Sequence, residues 1–312
     1  MRRTATEILR RGFESMLANW PLLAIRIAET VLLAMMAIVA AVALVVPILM
    51  SIGFDQSSFE NARDAMETIL NIVTNHLPII IYVLVMISVV LLVFVAVHSF
   101  VVAGCVRVYV DAERKNAQVS VPVRRDLRAF TGERWLDGGA KKWWTVFWIY
   151  NIAWGVGGLL MLLPVMILSA VVLFLRENAA AAAIVGCVGL VFSVLFMFLV
   201  AIATNVWAQK AIVDCVARGA GASASLRAAW DEILTDAGRH LAVAVVMIAV
   251  TIGGSMLFST FSAMGSFRHP AGVSIMLMPL QFSASIANGI FSAAVGAWFL
   301  ASFAALAVES RS

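Results

Sequence analysis

The sequence predicts an all-α integral membrane protein, with six transmembrane helices as three hairpins, amphipathic interfacial helices, and both termini cytoplasmic. Three observations carry this expectation. Six apolar stretches each exceed the ~20 residues that a helix needs to cross ~30 Å of hydrocarbon. Apolar residues form 62% and charged residues 13% of the 312, roughly half the usual charged share. A soluble domain of this size has too little interior to hide that apolar surface, so the bilayer is the solvent. Finally, the basic residues alternate from loop to loop.

The spans fall at about 21–50, 78–107, 143–175, 180–208, 241–265 and 280–308, in a single polytopic domain over 1–312. Pro21, after Asn19 and Trp20, suits the first turn of a helix, where its missing N–H costs nothing. Arg2, Arg3, Arg10 and Arg11 give the start a signal-peptide look. The apolar run that follows is about 30 residues rather than the 7–15 of a signal peptide and lacks a cleavage site, so it is a retained span. Pro164 predicts a kink in span three, and Gly155, Gly157 and Gly158 allow close approach or flexibility near it.

Counting Lys and Arg by side gives the orientation. Four precede span one, nine lie from Arg107 to Lys142, four (Lys210, Arg218, Arg227, Arg239) lie between spans four and five, and Arg311 follows span six. That makes 18 on one side against three, Arg63, Arg176 and Arg268, on the other, with Arg26 inside span one. The positive-inside rule then puts both termini in the cytoplasm. Trp20, Trp135, Trp143, Trp144, Trp148, Trp207 and Trp230 lie near that same face, where indoles anchor at headgroup level, while Trp154 and Trp298 sit deeper. The net charge of +4 thus reports topology, and no nucleic-acid partner is expected. Cys105, Cys187 and Cys215 have no metal-ligand spacing and imply no disulfide.

Residues 4–18 predict an interfacial helix: Ile8, Leu9, Phe13, Met16 and Leu17 share a face opposite Glu7, Arg10, Arg11 and Glu14. A second precedes span five, with Leu226, Trp230, Ile233 and Leu234 against Arg227, Asp231 and Glu232. The two align without a gap from Leu9 to Leu17 and from Leu226 to Leu234. A weaker third member surrounds Leu127-Arg128-Ala129-Phe130. The pattern is three repeats of interfacial helix plus hairpin; convergence of unrelated interfacial helices is the alternative. On the other side, Ser57 and Glu60 form a capping-box pattern. Phe59, Ala62, Met66, Ile69, Leu70 and Val73 then predict a short acidic-faced helix. The loop 266–279, bounded by Pro270 and Pro279, is apolar enough to dip into the interface.

This arrangement of helices leading into hairpins, carried by Leu9–Leu17 and Leu226–Leu234, resembles the six-helix membrane domain attached to some bacterial glycerophosphodiester phosphodiesterases. It also resembles related six-span bacterial families of unknown function. The resemblance implies fold and membrane residence; it implies no phosphodiesterase activity, because no soluble catalytic domain is present in this sequence.

Ionisable and amide groups inside spans are the candidate ligand-binding residues. Arg26 and Glu29, three apart on one face of span one, either neutralise each other near the cytoplasmic end or bind a ligand. His98 in span two is a packing residue or a titrating one. Asn151 and Asn205, in spans three and four, bridge helices or join the other three in one cytoplasm-facing cavity. Span six carries Ser285, Gly289, Ala293, Ala297, Ala301 and Ala305 at four-residue spacing, a helix-packing face within the subunit or in a homo-oligomer. No catalytic motif, metal-ligand set or cofactor motif occurs. The sequence therefore favours a non-catalytic inner-membrane module or scaffold, with membrane lipids and an envelope protein as partners. A transporter or binding protein for a small or lipidic ligand is the alternative.

Overall fold

A computed structural model describes residues 3–52, 77–119, 123–175, 177–263 and 271–309. The acidic-faced helix expected from Ser57 to Val73 lies outside these residues, as do Pro270, Arg63, Arg176 and Arg268. The described residues form eight α-helices and no strand: α1 Ala5–Ala18, α2 Trp20–Ile52, α3 Leu77–Lys115, α4 Gly132–Phe174, α5 Ala179–Arg218, α6 Ala222–Thr235, α7 Ala237–Ala263 and α8 Ala271–Glu309. Six of them, α2, α3, α4, α5, α7 and α8, are long and apolar enough to cross a membrane. Along their mid-lengths large apolar side chains stand exposed, Leu159 at 71%, Met166 at 70% and Phe192 at 68% among them. Such surface is stable only against hydrocarbon, so the chain is a multi-pass membrane protein.

Local chemistry sets the helix ends. Thr4 and Glu7 close a reciprocal capping box at the start of α1. The Thr131 and Asn178 side chains cap α4 and α5. Gly219 ends α5 at φ 72°, a left-handed conformation open to glycine and costly for other residues.

Packing separates two compact units, residues 1–27 with 99–312, and residues 28–98. In the larger unit α4 runs along α5 and α7 along α8, while α5 also touches α8. The amphipathic helix α1 packs on α8 and α7; α6 packs on α5, α4 and α7. The core of this unit gathers at one end of the helices, from Val102 to Ala112, Val146 to Ala153, Val206 to Ala217 and Leu300 to Val308. In the smaller unit the Tyr82 hydroxyl donates to the carbonyl of Ala43 at 3.1 Å, tying α3 to α2.

Three expectations are corrected. Helices run beyond the hydropathy-defined spans: α3 to Lys115, α5 to Arg218, and α4 back to Gly132, because polar extensions continue as helix once they pack on protein. Residues 271–279 belong to α8, with Pro279 inside it; within a membrane-spanning helix a freed carbonyl is re-satisfied by neighbouring groups, and proline is tolerated. Leu127-Arg128-Ala129-Phe130 is turn and coil rather than a third interfacial helix. The first turns of α4 pack closely on α3. A Cβ on Gly104 would collide with Trp135, and one on Gly138 with Arg107, so the two helices meet almost backbone to side chain. Trp298, expected deep in span six, meets α1 through Leu9.

Candidate functional site

Charged residues on and around α1 and α6 are heavily engaged in the larger unit. Arg11 sits on the buried face of α1, not on its polar face. Its Nε donates to Glu113 Oε2 of α3 at 2.5 Å, Nη1 to the carbonyl of Val119 at 2.7 Å, and Nη2 to that of Asn116 at 2.6 Å. Glu113 is fully buried. A guanidinium presents a rigid fork of donors, and here three directions are filled by one carboxylate and two carbonyls at the end of α3. Arg3 reaches the same carboxylate at 4.0 Å, while its backbone N–H donates to Glu309 Oε1 at 2.5 Å. Burial, with the nearby Arg11 charge, pushes the Arg3 guanidinium below its ordinary pKa, and Glu113 and Glu309 oppose that shift. Arg239 joins α7 to this group by pairing with Asp236 and, at 3.3 Å, with Glu309.

Asn19, between α1 and α2, is fully buried and uses its whole amide. Its Nδ2 donates to the carbonyls of Ser15 and Leu127, each at 2.9 Å. Its Oδ1 accepts from the N–H groups of Ala129 and Phe130 at 2.8 and 2.9 Å. This explains why residues 127–130 are not helical: the backbone groups that a helix would pair internally are pledged to one distant side chain.

A second cluster joins α5 to α6. Lys210, counted by sequence as a loop cation, lies within α5 and is only 1% exposed. Its Nζ donates to Asp214 Oδ1 at 2.8 Å and to Glu232 of α6, and Arg218 also pairs with Glu232. The four residues balance two positive charges with two negative ones, which lowers the cost of removing them from water.

Two tryptophans repeat one another across these helix pairs. Trp298 of α8 donates its indole N–H to the carbonyl of Leu9 in α1, and Trp207 of α5 donates to that of Leu226 in α6, both at 2.8 Å. Leu9 and Leu226 are the aligned first residues of the two repeat segments. Phe13 and Trp230, also aligned, lie edge-to-face on these same indoles, at centroid distances of 5.3 and 5.8 Å.

The sequence-derived candidates fall into three places. Arg26 and Asn205 line a cavity of about 200 Å³ with Tyr150, Gln209, Thr251 and Ser292. Glu29 and His98 belong to the smaller unit, where His98 Nδ1 lies 2.7 Å from Glu29 Oε1. Asn151 donates to the carbonyl of Phe147 one turn back on its own helix, at 2.8 Å. In the small-residue stripe of α8, Ala293, Ala297, Ala301 and Ala305 are buried, whereas Ser285 is exposed and a Cβ on Gly289 would meet nothing within 4 Å. Sequence reasoning did not single out Arg11, Asn19, Glu113, Lys210 or Asp214. The available signal was a helix face: Lys210 and Asp214 are four apart in an otherwise apolar stretch.

Family models, curated proteins and solved structures were all compared with the chain, and none matches it.

Proposed function

We propose that the chain is a non-catalytic module of a bacterial inner membrane, with both termini cytoplasmic, that presents its interfacial helices as a firm platform for an envelope protein. The observation that carries this reading is the use of buried charge. Arg11 with Glu113 and Lys210 with Asp214 and Glu232 each fasten an interfacial helix, and the half-buried pair Arg239 with Glu309 ties two helix ends. Buried ionic clusters stabilise weakly against apolar replacements, but they specify one geometry when every partner is in place. A platform needs that fixed geometry. The orientation rests on the 18 basic residues of one side against three of the other.

A second reading, a binding protein or transporter for a small or lipidic ligand, is favoured by the cavity that Arg26 and Asn205 share. A cation in a span, facing amide and hydroxyl groups, suits a small anion.

Native mass spectrometry of the protein released gently from its own membrane separates the two. A protein partner of fixed stoichiometry, lost on disrupting Lys210–Glu232 but kept in Arg26→Ala, supports the platform. A small bound anion lost in Arg26→Ala, without any protein partner, moves the second reading to the front. A reporter fused after residue 312 and shielded from an impermeant reagent until the membrane is opened supports the orientation.

A further inference from the structure

We propose that a groove between α4, α5 and α6 holds one membrane phospholipid whose head carries both a phosphate and a primary amine. This goes beyond the platform reading and concerns the outer side of α6, whose Glu232 is fastened by Lys210. The groove has a volume of about 670 Å³, within the ~300–1,000 Å³ range of small-molecule sites. Its inner part is hydrocarbon, lined by Ile152, Val156 and Leu160 of α4 and by Val200 of α5. The floor closes where Gly157 meets Thr204, since a Cβ on that glycine would overlap the threonine side chain.

The open side decides the class of occupant. Ile152 is 37%, Val156 44% and Leu160 46% exposed, and these positions lie within a membrane-length helix. The apolar part of the groove therefore opens sideways to lipid, so an acyl chain enters it without leaving hydrocarbon, whereas a purely water-soluble metabolite would leave that part unfilled.

The polar end decides the head. Ser223, Arg227 and Asp231 of α6 line it, spaced by four residues and hence on one helix face. Trp207 and Trp230 stand edge-to-face between this stripe and the apolar part. Indoles prefer the headgroup boundary, so they mark the depth at which a lipid head would sit. Arg227 offers the donor fork that phosphate favours. One turn on, the Asp231 carboxylate repels a purely anionic head and accepts N–H bonds from an ammonium. A choline head carries the charge without those donors. Phosphatidylethanolamine is the common phospholipid type that satisfies both side chains.

The test is native mass spectrometry of the full chain in detergent, titrated separately with phosphatidylethanolamine, phosphatidylglycerol and phosphatidylcholine of one acyl composition. One ethanolamine lipid per chain, retained about tenfold more tightly than either other head, is expected from one charged hydrogen-bonding partner gained or lost. Arg227→Ala should weaken ethanolamine and glycerol lipids alike. Asp231→Asn should remove the preference for ethanolamine while leaving glycerol-lipid retention equal or higher. Val156→Phe, which fills the groove, should abolish retention of all three without lowering the melting temperature. Equal retention of the three heads by the unmodified protein, a preference for phosphatidylglycerol, or an ethanolamine preference that survives Asp231→Asn would overturn the proposal.

Discussion

Trp298 donates its indole N–H to the backbone carbonyl of Leu9 at 2.8 Å, joining the last described helix to the first. Trp207 makes the same bond to Leu226, at a position that the sequence repeat aligns with Leu9. A repeat seen only as a nine-residue pattern thus has a structural counterpart in how each interfacial helix is held. Trp298→Phe and Trp207→Phe keep an aromatic ring and remove the donor, so each should cost about 1 kcal/mol, the net worth of a hydrogen bond. The two pairs share no partner, and thermal unfolding in detergent should show their effects adding.

Glu113 and Arg11 are both buried, and their pairing predicts an asymmetry. Glu113→Ala leaves the guanidinium without its counter-charge and should cost about 3–5 kcal/mol. The double variant Arg11→Met, Glu113→Leu should recover most of that loss, because Arg11 leaves with its partner and Arg3 keeps Glu309 nearby. Thermal melts of both variants check this; a double variant less stable than the single one would refute the assignment.

Asn19→Ala removes two donors and one doubly used acceptor at once. Four backbone groups at Ser15, Leu127, Ala129 and Phe130 lose their side-chain partner. The expected loss is about 1–3 kcal/mol for each group left buried and unsatisfied. Hydrogen exchange should quicken first at Ala129 and Phe130, ahead of the spans.

The Glu7 carboxyl is held below its ordinary value of 4.5, chiefly by the Thr4 backbone N–H and then by the Thr4 hydroxyl. A depressed folded-state pKa means that its contribution is complete above the unfolded value and is lost as pH falls through the folded one. The protection factors of amides in the first turn of α1, which divide out the pH dependence of free-chain exchange, should therefore be highest at neutral pH and fall below about pH 4. In Glu7→Gln, which keeps the capping box without a titrating group, that acid-dependent step should vanish.

Gly12 lies against Ser302, where an added Cβ would come within 2.7 Å of the serine backbone nitrogen. Gly12→Ala should destabilise the protein although alanine favours helix by about 1 kcal/mol. Gly155→Ala, where a Cβ would meet nothing within 4 Å, should be neutral or stabilising. Melting temperatures of the two variants should move in opposite directions or at least differ clearly.

What the sequence by itself determined is set by short-range physics. A run of apolar residues longer than the bilayer is thick has one stable solution, a helix in lipid, so all six membrane-length helices were legible. Helical periodicity likewise marked α1 and α6, because amphipathicity is a property of neighbours on one helix. The tertiary structure alone decided which charges are interior. Arg11 looks like any surface arginine until Glu113, 102 residues away, is brought to its Nε. Lys210 passes for a loop cation until α5 extends and Glu232 of α6 covers it. Residues 127–130 carry a helical pattern that Asn19 overrides by taking their backbone hydrogen bonds. Burying a charge or unwinding a turn depends on partners remote in the chain, and no local pattern encodes them.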